Sequence, residues 1–241
     1  MARSVDINCD MGEGIGLLTF GNDEELMKHI SSANIACGWH GGDPTVMRTT
    51  IELALENDVA IGAHVGFPDV PGFGLHRMEI SPETLYDWSV YQIGALQGFL
   101  EASGAKLQHV KPHGAVYHQC EGDVVFAEAV ARAAKVFGDD VFLVLMGDIP
   151  PAAAARVGVP YVPEGFPELR YTSEMRQLSE FQTDDPEVVA QRAVDMVIDK
   201  RVVTADGTTL TLDVGSVALH GHIPSAGDIA RRVRERLEEA A

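Results

Sequence analysis

Short apolar runs of β character recur along this chain, and nearly every one is followed by a stretch with helical start and stop signals. Such alternation restricts the fold severely, because two parallel strands cannot be joined by a tight turn and need a crossover, usually a helix. The β runs are Ser4–Cys9, Ala33–Ala36, Val59–Ala63, Leu107–Val110, Val141–Met146, a weak Tyr161–Val162, and Ser216–Leu219. Helices are predicted over Asp23–Ile30, from Asp43-Pro44 to about Asn57, and from Ser81-Pro82 to the Gly104 stop. Others are predicted over Asp123–Phe137, around Pro151–Val157, from Asp185-Pro186, and over Ser225–Glu239. Asp43, Ser81 and Asp185 are N-cap residues with proline at the first helical position. Loops are read over His64–Ile80 and Pro163–Asp184, and Asp206-Gly207 between Val202–Thr204 and Thr208–Leu212 predicts a hairpin.

Leaving the hairpin aside, the count is seven strands in β-then-α order. No GxGxxG follows the first strand and no GxxxxGK[ST] occurs, so nucleotide-binding open sheets lose support. The fold class predicted is α/β, an irregular seven-stranded parallel (β/α) barrel, with residues 1–241 as a single domain.

Charge narrows the partners. Lys and Arg number 18 against 36 Asp and Glu, a formal charge of −18, which repels phosphate backbones and anionic lipid and argues against nucleic-acid or membrane-surface binding. No apolar run is long enough to span a bilayer, the first ten residues hold no apolar signal core, and the three cysteines make no disulfide framework. The expectation is a cytoplasmic protein with a small-molecule substrate. Homo-oligomerisation stays open.

In parallel β/α folds, chemistry sits at the carboxyl ends of the strands. Those ends supply Asp10 and Glu13, then Cys37, His40 and Asp43, then His64 and Asp69, then Lys111 and His113, then Glu164, and finally His220 and His222. One histidine at one strand end is usually a packing residue, but several on one rim between glycines point to a site. Three chemistries compete for them. Asp10, His40 and His64 form a carboxylate-plus-two-imidazole set for a divalent metal. Asp10 or Glu13 as base with His40, His64 or His113 as partner gives metal-free acid/base catalysis, with Lys111 steadying an oxyanion or phosphorylated intermediate. Cys37 with His40 or His64 is a nucleophile arrangement, against the plainer reading of a small buried apolar residue. The Trp88–Phe99 stretch, with Tyr91 and Leu96, reads as core-facing helix, and Cys9 and Cys120 as packing.

Ordered motifs then identify a family. Asp6-Ile7-Asn8-Cys9-Asp10-Met11-Gly12-Glu13 resembles the opening of the LamB/YcsF lactam-utilisation family. Ser32-Ala33-Asn34-Ile35-Ala36-Cys37-Gly38-Trp39-His40 resembles its second motif, with Trp in place of Phe, and Gly62-Ala63-His64-Val65-Gly66 with Gly72-Phe73-Gly74 its third. Tyr91–Leu96, His109–Ala115 and Leu219-His220-Gly221 continue the match along essentially the whole chain. The resemblance implies a barrel like that of the glycoside hydrolase/deacetylase group and ATP-dependent opening of 5-oxoproline to L-glutamate. It implies ATP as co-substrate and PxpB- and PxpC-like partner subunits. Catalytic candidates carried over are Asp10, Glu13, His40, His64, Lys111 and His113, with Asn8, Asn34, Cys37, Glu164 and His220 as substrate contacts. Related barrel deacetylases keep a divalent metal in view for Asp10 and His64.

The chain also departs from the family pattern. Leu75-His76 stands where two arginines are usual, with Arg77 one place late; Glu168 and Leu169 replace an aspartate and an arginine beside Arg170, and His222 replaces an aspartate. Leucine cannot replace bidentate guanidinium contacts to carboxylate or phosphate. A different lactam or cyclic amide, opened without ATP, is therefore the alternative, as are a metal-dependent deacetylase and a regulatory subunit that has lost catalysis.

Overall fold

The computed structural model describes residues 5–178 and 182–240, so Ser4, where the sequence opens the first strand, lies outside the described residues. Seven parallel strands close into a barrel: β1 (Asp6–Met11), β2 (Ser32–Ala36), β3 (Ala60–Val65), β4 (Leu107–Pro112), β5 (Phe142–Leu145), β6 (Tyr161–Gly165) and β11 (Ser216–Leu219). Around the ring they run β1, β2, β3, β4, β5, β6, β11, and β11 returns to pair with β1. The predicted barrel is the observed one. Helices α1 (Asp23–Leu26), α2 (Pro44–Glu56), α3 (Pro82–Ser103), α4 (Gly114–Gly122), α5 (Val124–Lys135), α6 (Pro150–Val157), α7 (Pro186–Val197) and α8 (Ala226–Ala240) fill the connections. Asp43 and Ser81 cap α2 and α3 as the sequence requires, and α3 stops at Gly104, whose φ of 69° suits glycine.

Three of the connections differ from the sequence reading. Helix α4 has no counterpart in it. Its nine residues begin and end in glycine and carry no clear apolar period, though Ala115, Val116, Tyr117 and Cys120 are buried. A two-stranded ribbon, β7 (Arg170–Tyr171) with β8 (Gln177–Leu178), sits inside the predicted loop Pro163–Asp184, whose residues 179–181 lie outside the described ones. The Asp206-Gly207 hairpin forms, with β9 (Arg201–Val203) antiparallel to β10 (Thr209–Thr211), but its loop is wider than a two-residue turn and is held by Asp206 Oδ1 accepting from Thr204 Oγ1 and Thr208 N.

Strand alternation divides the residues of each strand between two environments. Ile7, Cys9, Met11, Ala33, Ile35, Ile61, Ala63, Val65 and Val110 are buried in the apolar core beneath the helices. Asp6, Asn8, Asp10, Ser32, Asn34, His64, His109, Lys111, Glu164 and Ser216 meet one another across the lumen through hydrogen bonds and ion pairs. This barrel is therefore apolar outside and polar within, and such an interior is stable only when its groups are paired.

Gly62 makes room for this network. A Cβ there would lie 2.1 Å from His109 Nε2, which occupies the space a side chain would need. Gly62→Ala is expected to cost about 1–3 kcal/mol, the usual range for overpacking, read as a lowered urea midpoint at unchanged slope. A change within about 0.5 kcal/mol would show that the lumen adapts.

Candidate active site

Strands β1, β3 and β4 each run two residues further than the sequence suggested, so Asp10, His64 and Lys111 belong to strands and not to the loops after them. Register places His64 opposite Lys111 and Asp10 opposite Asn34, bringing these side chains to one level at the carboxyl end of the barrel. Glu13 comes from the turn after β1, His40 from the loop after β2, and His113 caps the start of α4. Gln92 of α3 fixes the chain leaving β3, accepting from Gly66 N at 2.9 Å and donating to Gly66 O at 3.0 Å. Gln92 is buried, as the core-facing reading of this helix requires, but Tyr91 beside it is exposed.

Below the rim lies a tight ionic group. Lys111 Nζ is 3.2 Å from Asp10 Oδ1, 3.3 Å from Glu164 Oε2 and 3.0 Å from Asn8 Oδ1, three acceptors for three donors. Asn34 Nδ2 donates to both Asn8 Oδ1 and Asp10 Oδ1 at 2.8 Å. Burial works to raise the Asp10 carboxyl, but His64 and the Lys111 ammonium outweigh it and hold it well below the usual carboxylate range. Burial also opposes the charge on Lys111, yet Asp10 and Glu164 leave that ammonium harder to deprotonate than usual. With its donors occupied, Lys111 serves to keep Asp10 ionised rather than to meet an oxyanion.

Above it stand three imidazoles, and partners fix the tautomers of two. His64 Nδ1 lies 2.9 Å from the Lys111 carbonyl and His113 Nε2 lies 2.6 Å from the Phe73 carbonyl; a carbonyl oxygen only accepts, so both nitrogens carry hydrogen. The two remaining nitrogens, His64 Nε2 and His113 Nδ1, face each other at 3.0 Å with lone pairs converging. Glu13 Oε1 lies 3.1 Å from His40 Nε2, 3.6 Å from His113 Nδ1 and 4.0 Å from His64 Nε2. Converging lone pairs beside a carboxylate need a positive centre between them, either a shared proton or a cation.

Glu13, His40, His64 and His113 each offer one ligand atom, all within 4.8 Å of one another, so this buried cluster could hold a metal ion. The fit is good in chemistry as well as spacing: imidazole and carboxylate suit divalent metals, and carbonyls behind His64 and His113 orient the rings as metal ligands require. Of the three residues the sequence offered as ligands, His40 and His64 are in this cluster, while Asp10 Oδ2 lies beside it, 3.3 Å from His64 Nε2. The His40 ring stacks on His113 at 3.8 Å between centroids. Burial raises the Glu13 carboxyl well above its ordinary range, reinforced by Asp10 and Asp23, and lowers His113 to about 3.

A cavity of about 480 Å³ opens over the cluster and is lined by Asp10, Glu13, His64, Lys111, His113 and His220 among others. His220 Nδ1 is 2.5 Å from Glu168 Oε2, and its backbone N–H also donates to that fully buried carboxylate. Glu168 marked only a departure from a motif in the sequence; nothing local shows that it would hold His220 from 52 residues away. Asn8, Asn34 and Glu164 lie beneath the cavity within the network and are not part of its lining. Cys37 also lies apart, its Sγ donating to Ile35 O at 3.3 Å; burial pushes its thiol up to about 12, unsuited to a nucleophile. Among the departures, Leu75, Leu169 and His222 line the cavity, whereas His76 turns to Asp69 at 3.0 Å.

His109, one level lower, gives a pH prediction. Burial depresses it to about 4, while an exposed imidazole titrates near 6.5, so between those values the unfolded chain binds the extra proton. Stability is therefore lost as pH falls from about 6.5 toward 4, at about 1.4 kcal/mol per unit from this group. His109→Gln is expected to remove that increment from the pH slope of urea midpoints between pH 7 and 5. Identical slopes in the two proteins would contradict it.

The LamB/YcsF family model matches residues 5–241. This chain belongs to the LamB/YcsF family. It is 43% identical over 241 residues to a Heliobacterium modesticaldum protein bearing the name of the 5-oxoprolinase A subunit, covering 98% of this chain and 95% of that one. A protein of the same name from Thermus thermophilus is 42% identical, with 98% and 96% covered. The solved structure of a lactam utilization protein from Thermus thermophilus superposes with a TM-score of 0.92 at 41% identity, over 98% of this chain and 97% of that one. A family 4 carbohydrate esterase from Streptomyces lividans, at 8% identity and a TM-score of 0.50 over 98% and 88% of the two chains, shares the fold alone. No helix of this LamB/YcsF chain, among the described residues, is long and apolar enough to cross a membrane.

Proposed function

We propose that this LamB/YcsF protein opens a lactam ring, adding water across the amide C–N bond. The observation that carries this reading is the convergence of Glu13, His40, His64 and His113 at the floor of a cavity that Glu13, His64 and His113 line together with an oriented His220. The names of the relatives support it. A divalent cation, when bound by the cluster, supplies Lewis-acid polarisation of the ring carbonyl.

The residues divide the proton work. Glu13, whose carboxyl is raised by burial, takes a proton from water as its oxygen bonds to the carbonyl carbon. The C–N electron pair leaves on the ring nitrogen, which takes a proton from His220 Nε2. Glu168 on Nδ1 fixes that ring, and although burial opposes its charge, Glu168 leaves His220 more readily protonated than an ordinary imidazole. The Lys111 carbonyl orients His64 through Nδ1, and Asp10 sets a carboxylate 3.3 Å from its Nε2.

In its finer form the ring is 5-oxoproline, the product L-glutamate and ATP the co-substrate, with PxpB- and PxpC-like subunits as partners. The relatives are named as one lettered component of 5-oxoprolinase, which fits one member of an assembly. A chain without a P-loop suits a division in which partners activate the unreactive amide. Release of L-glutamate from 5-oxoproline tests this form, for this chain alone and with ATP and both partners. Release only in the full mixture is expected. Folded protein that opens neither 5-oxoproline nor any other lactam in either mixture would overturn the reading.

A further inference from the structure

In 5-oxoproline the carboxylate sits on the carbon bonded to the ring nitrogen, so the group that receives it must stand beside the group that serves that nitrogen. His220 serves the nitrogen in the reading above, with Nδ1 held by Glu168 and Nε2 left for the ring. The His222 ring meets the His220 ring edge-on, with centroids 5.4 Å apart, and lines the same cavity. Its other ring neighbour is Phe20, at 6.1 Å. Among the described residues neither nitrogen of His222 has a hydrogen-bond partner, so it has an N–H to give in either tautomer. Gln177 is a second uncommitted donor. Its Nε2 is buried without a partner among the described residues, an unfavourable state that a bound acceptor relieves. Ribbon pairing sets Gln177 opposite Tyr171, whose hydroxyl accepts from Phe166 N at 2.7 Å, and the Phe166 ring stacks on His220 with centroids 5.6 Å apart. The amide therefore stands on the same side of the mouth as the two histidines.

The other polar and cationic groups about the mouth are spent or lie elsewhere. Lys111 gives its three donors to Asn8, Asp10 and Glu164. His118 faces Glu121 at 2.9 Å, a carboxylate that repels a second one, and among the described residues ring contacts link it to His220 only through Tyr117 and Phe166. Gln182 lines the cavity but is exposed, and no hydrogen bond among the described residues fixes its amide near His220. Arg176 precedes Gln177 and is exposed outside the lining, where its charge adds attraction for an anion at longer range. Two of the departures from the family pattern, Leu169 and His222, line this cavity together. Leu169 offers no guanidinium, and an imidazole at 222 gives a donor where an aspartate would repel the carboxylate.

We propose that the His222 imidazole, with the Gln177 amide, receives the substrate carboxylate and so sets the preference for a ring that carries one beside its nitrogen. The inference rests on lactam opening in its 5-oxoproline form, and two rings distinguish the failure of one from that of the other. They are 5-oxoproline and 2-pyrrolidinone, the same lactam without the carboxylate, each offered to the full chain with ATP and the partner subunits. Amine release is read by mass spectrometry, and a calorimetric Kd replaces KM for a ring turned over too slowly. His222 is exposed at the rim, so His222→Asp is compatible with folding. It should raise KM for 5-oxoproline at least about tenfold with kcat within about threefold, the pattern of a lost binding contact, and leave KM for 2-pyrrolidinone within about twofold. His222→Gln, which keeps an N–H donor, should recover most of that loss, and Gln177→Leu should raise the same KM by about five- to tenfold. A KM for 5-oxoproline unmoved by His222→Asp overturns the inference and leaves lactam opening standing. An equal rise for both rings, or a larger rise in Arg176→Ala, does the same. No ring opened by folded wild-type protein overturns both.

Discussion

Lys111→Met is expected to destabilise the protein by about 3–5 kcal/mol at neutral pH, the usual cost of removing one partner from a buried ion pair. Set against a typical domain stability of roughly 5–15 kcal/mol, that is about a fifth or more of the total. The reason lies in the lumen. Lys111 is 2% exposed and holds two carboxylates, Asp10 and Glu164, at 3.2 and 3.3 Å. Methionine fills much of the volume but leaves both acids without their shared cation in the barrel interior. The pH dependence has a definite sign. In the wild-type protein Asp10 is held well below its ordinary range, so its contribution is present above the unfolded carboxylate range and is lost as pH falls from that range through the depressed value in the fold. Without Lys111 the same carboxyl accepts a proton more readily, so the gap between variant and wild type narrows on acidification. Urea titrations at pH 7 and 5 measure both effects, and Asp10→Asn in the Lys111→Met background should recover part of the loss. A loss under about 1 kcal/mol at pH 7 would mean that Lys111 is not the counter-ion the geometry makes it.

Glu13→Gln is expected to lower ring-opening kcat by about 10²–10⁴-fold, the contribution of a positioned general base, while stability changes by less than about 1 kcal/mol. Glutamine keeps the shape and burial of Glu13 and removes an acid that burial and Asp10 already hold well above its usual range. It also removes the only carboxylate in the candidate metal cluster, so bound divalent metal per chain should fall in the same variant. Activity within tenfold of wild type would take Glu13 out of the proton transfer and leave Asp10 as the candidate base.

The barrel was legible because β runs and capped helices alternate with little ambiguity; Asp43-Pro44 and Ser81-Pro82 start helices where their chemistry says they should. The strand ends were less legible. Lys111-Pro112 reads as the start of a loop, yet Pro112 is the last residue of β4 and needs no donor there, which is why His64 and Lys111 emerged as lumen residues rather than loop residues. Helix α4 escaped because its burial is imposed by packing against the barrel and not by an apolar period of its own. The histidines of the site could be read from strand order, but their tautomers depend on the carbonyls of Lys111 and Phe73, contacts 47 and 40 residues apart in sequence. Glu168 and its hold on His220 were out of reach for the same reason. Cys37 with a neighbouring histidine was a nucleophile arrangement open to the sequence, and the turn of its Sγ to the Ile35 carbonyl is a contact the sequence does not show.

The most direct test compares lactam ring opening by the wild-type chain and His64→Ala, each with ATP, the partner subunits and a divalent cation, after circular dichroism has shown both to be folded. His64 touches Asp10, His113 and the Lys111 carbonyl, so its loss removes the point on which the cluster converges. The account predicts measurable amine release by the wild-type protein and a loss of at least about 10³-fold in the variant. Wild-type rates retained by folded His64→Ala would contradict it, because catalysis would then lie outside the Glu13–His40–His64–His113 cluster.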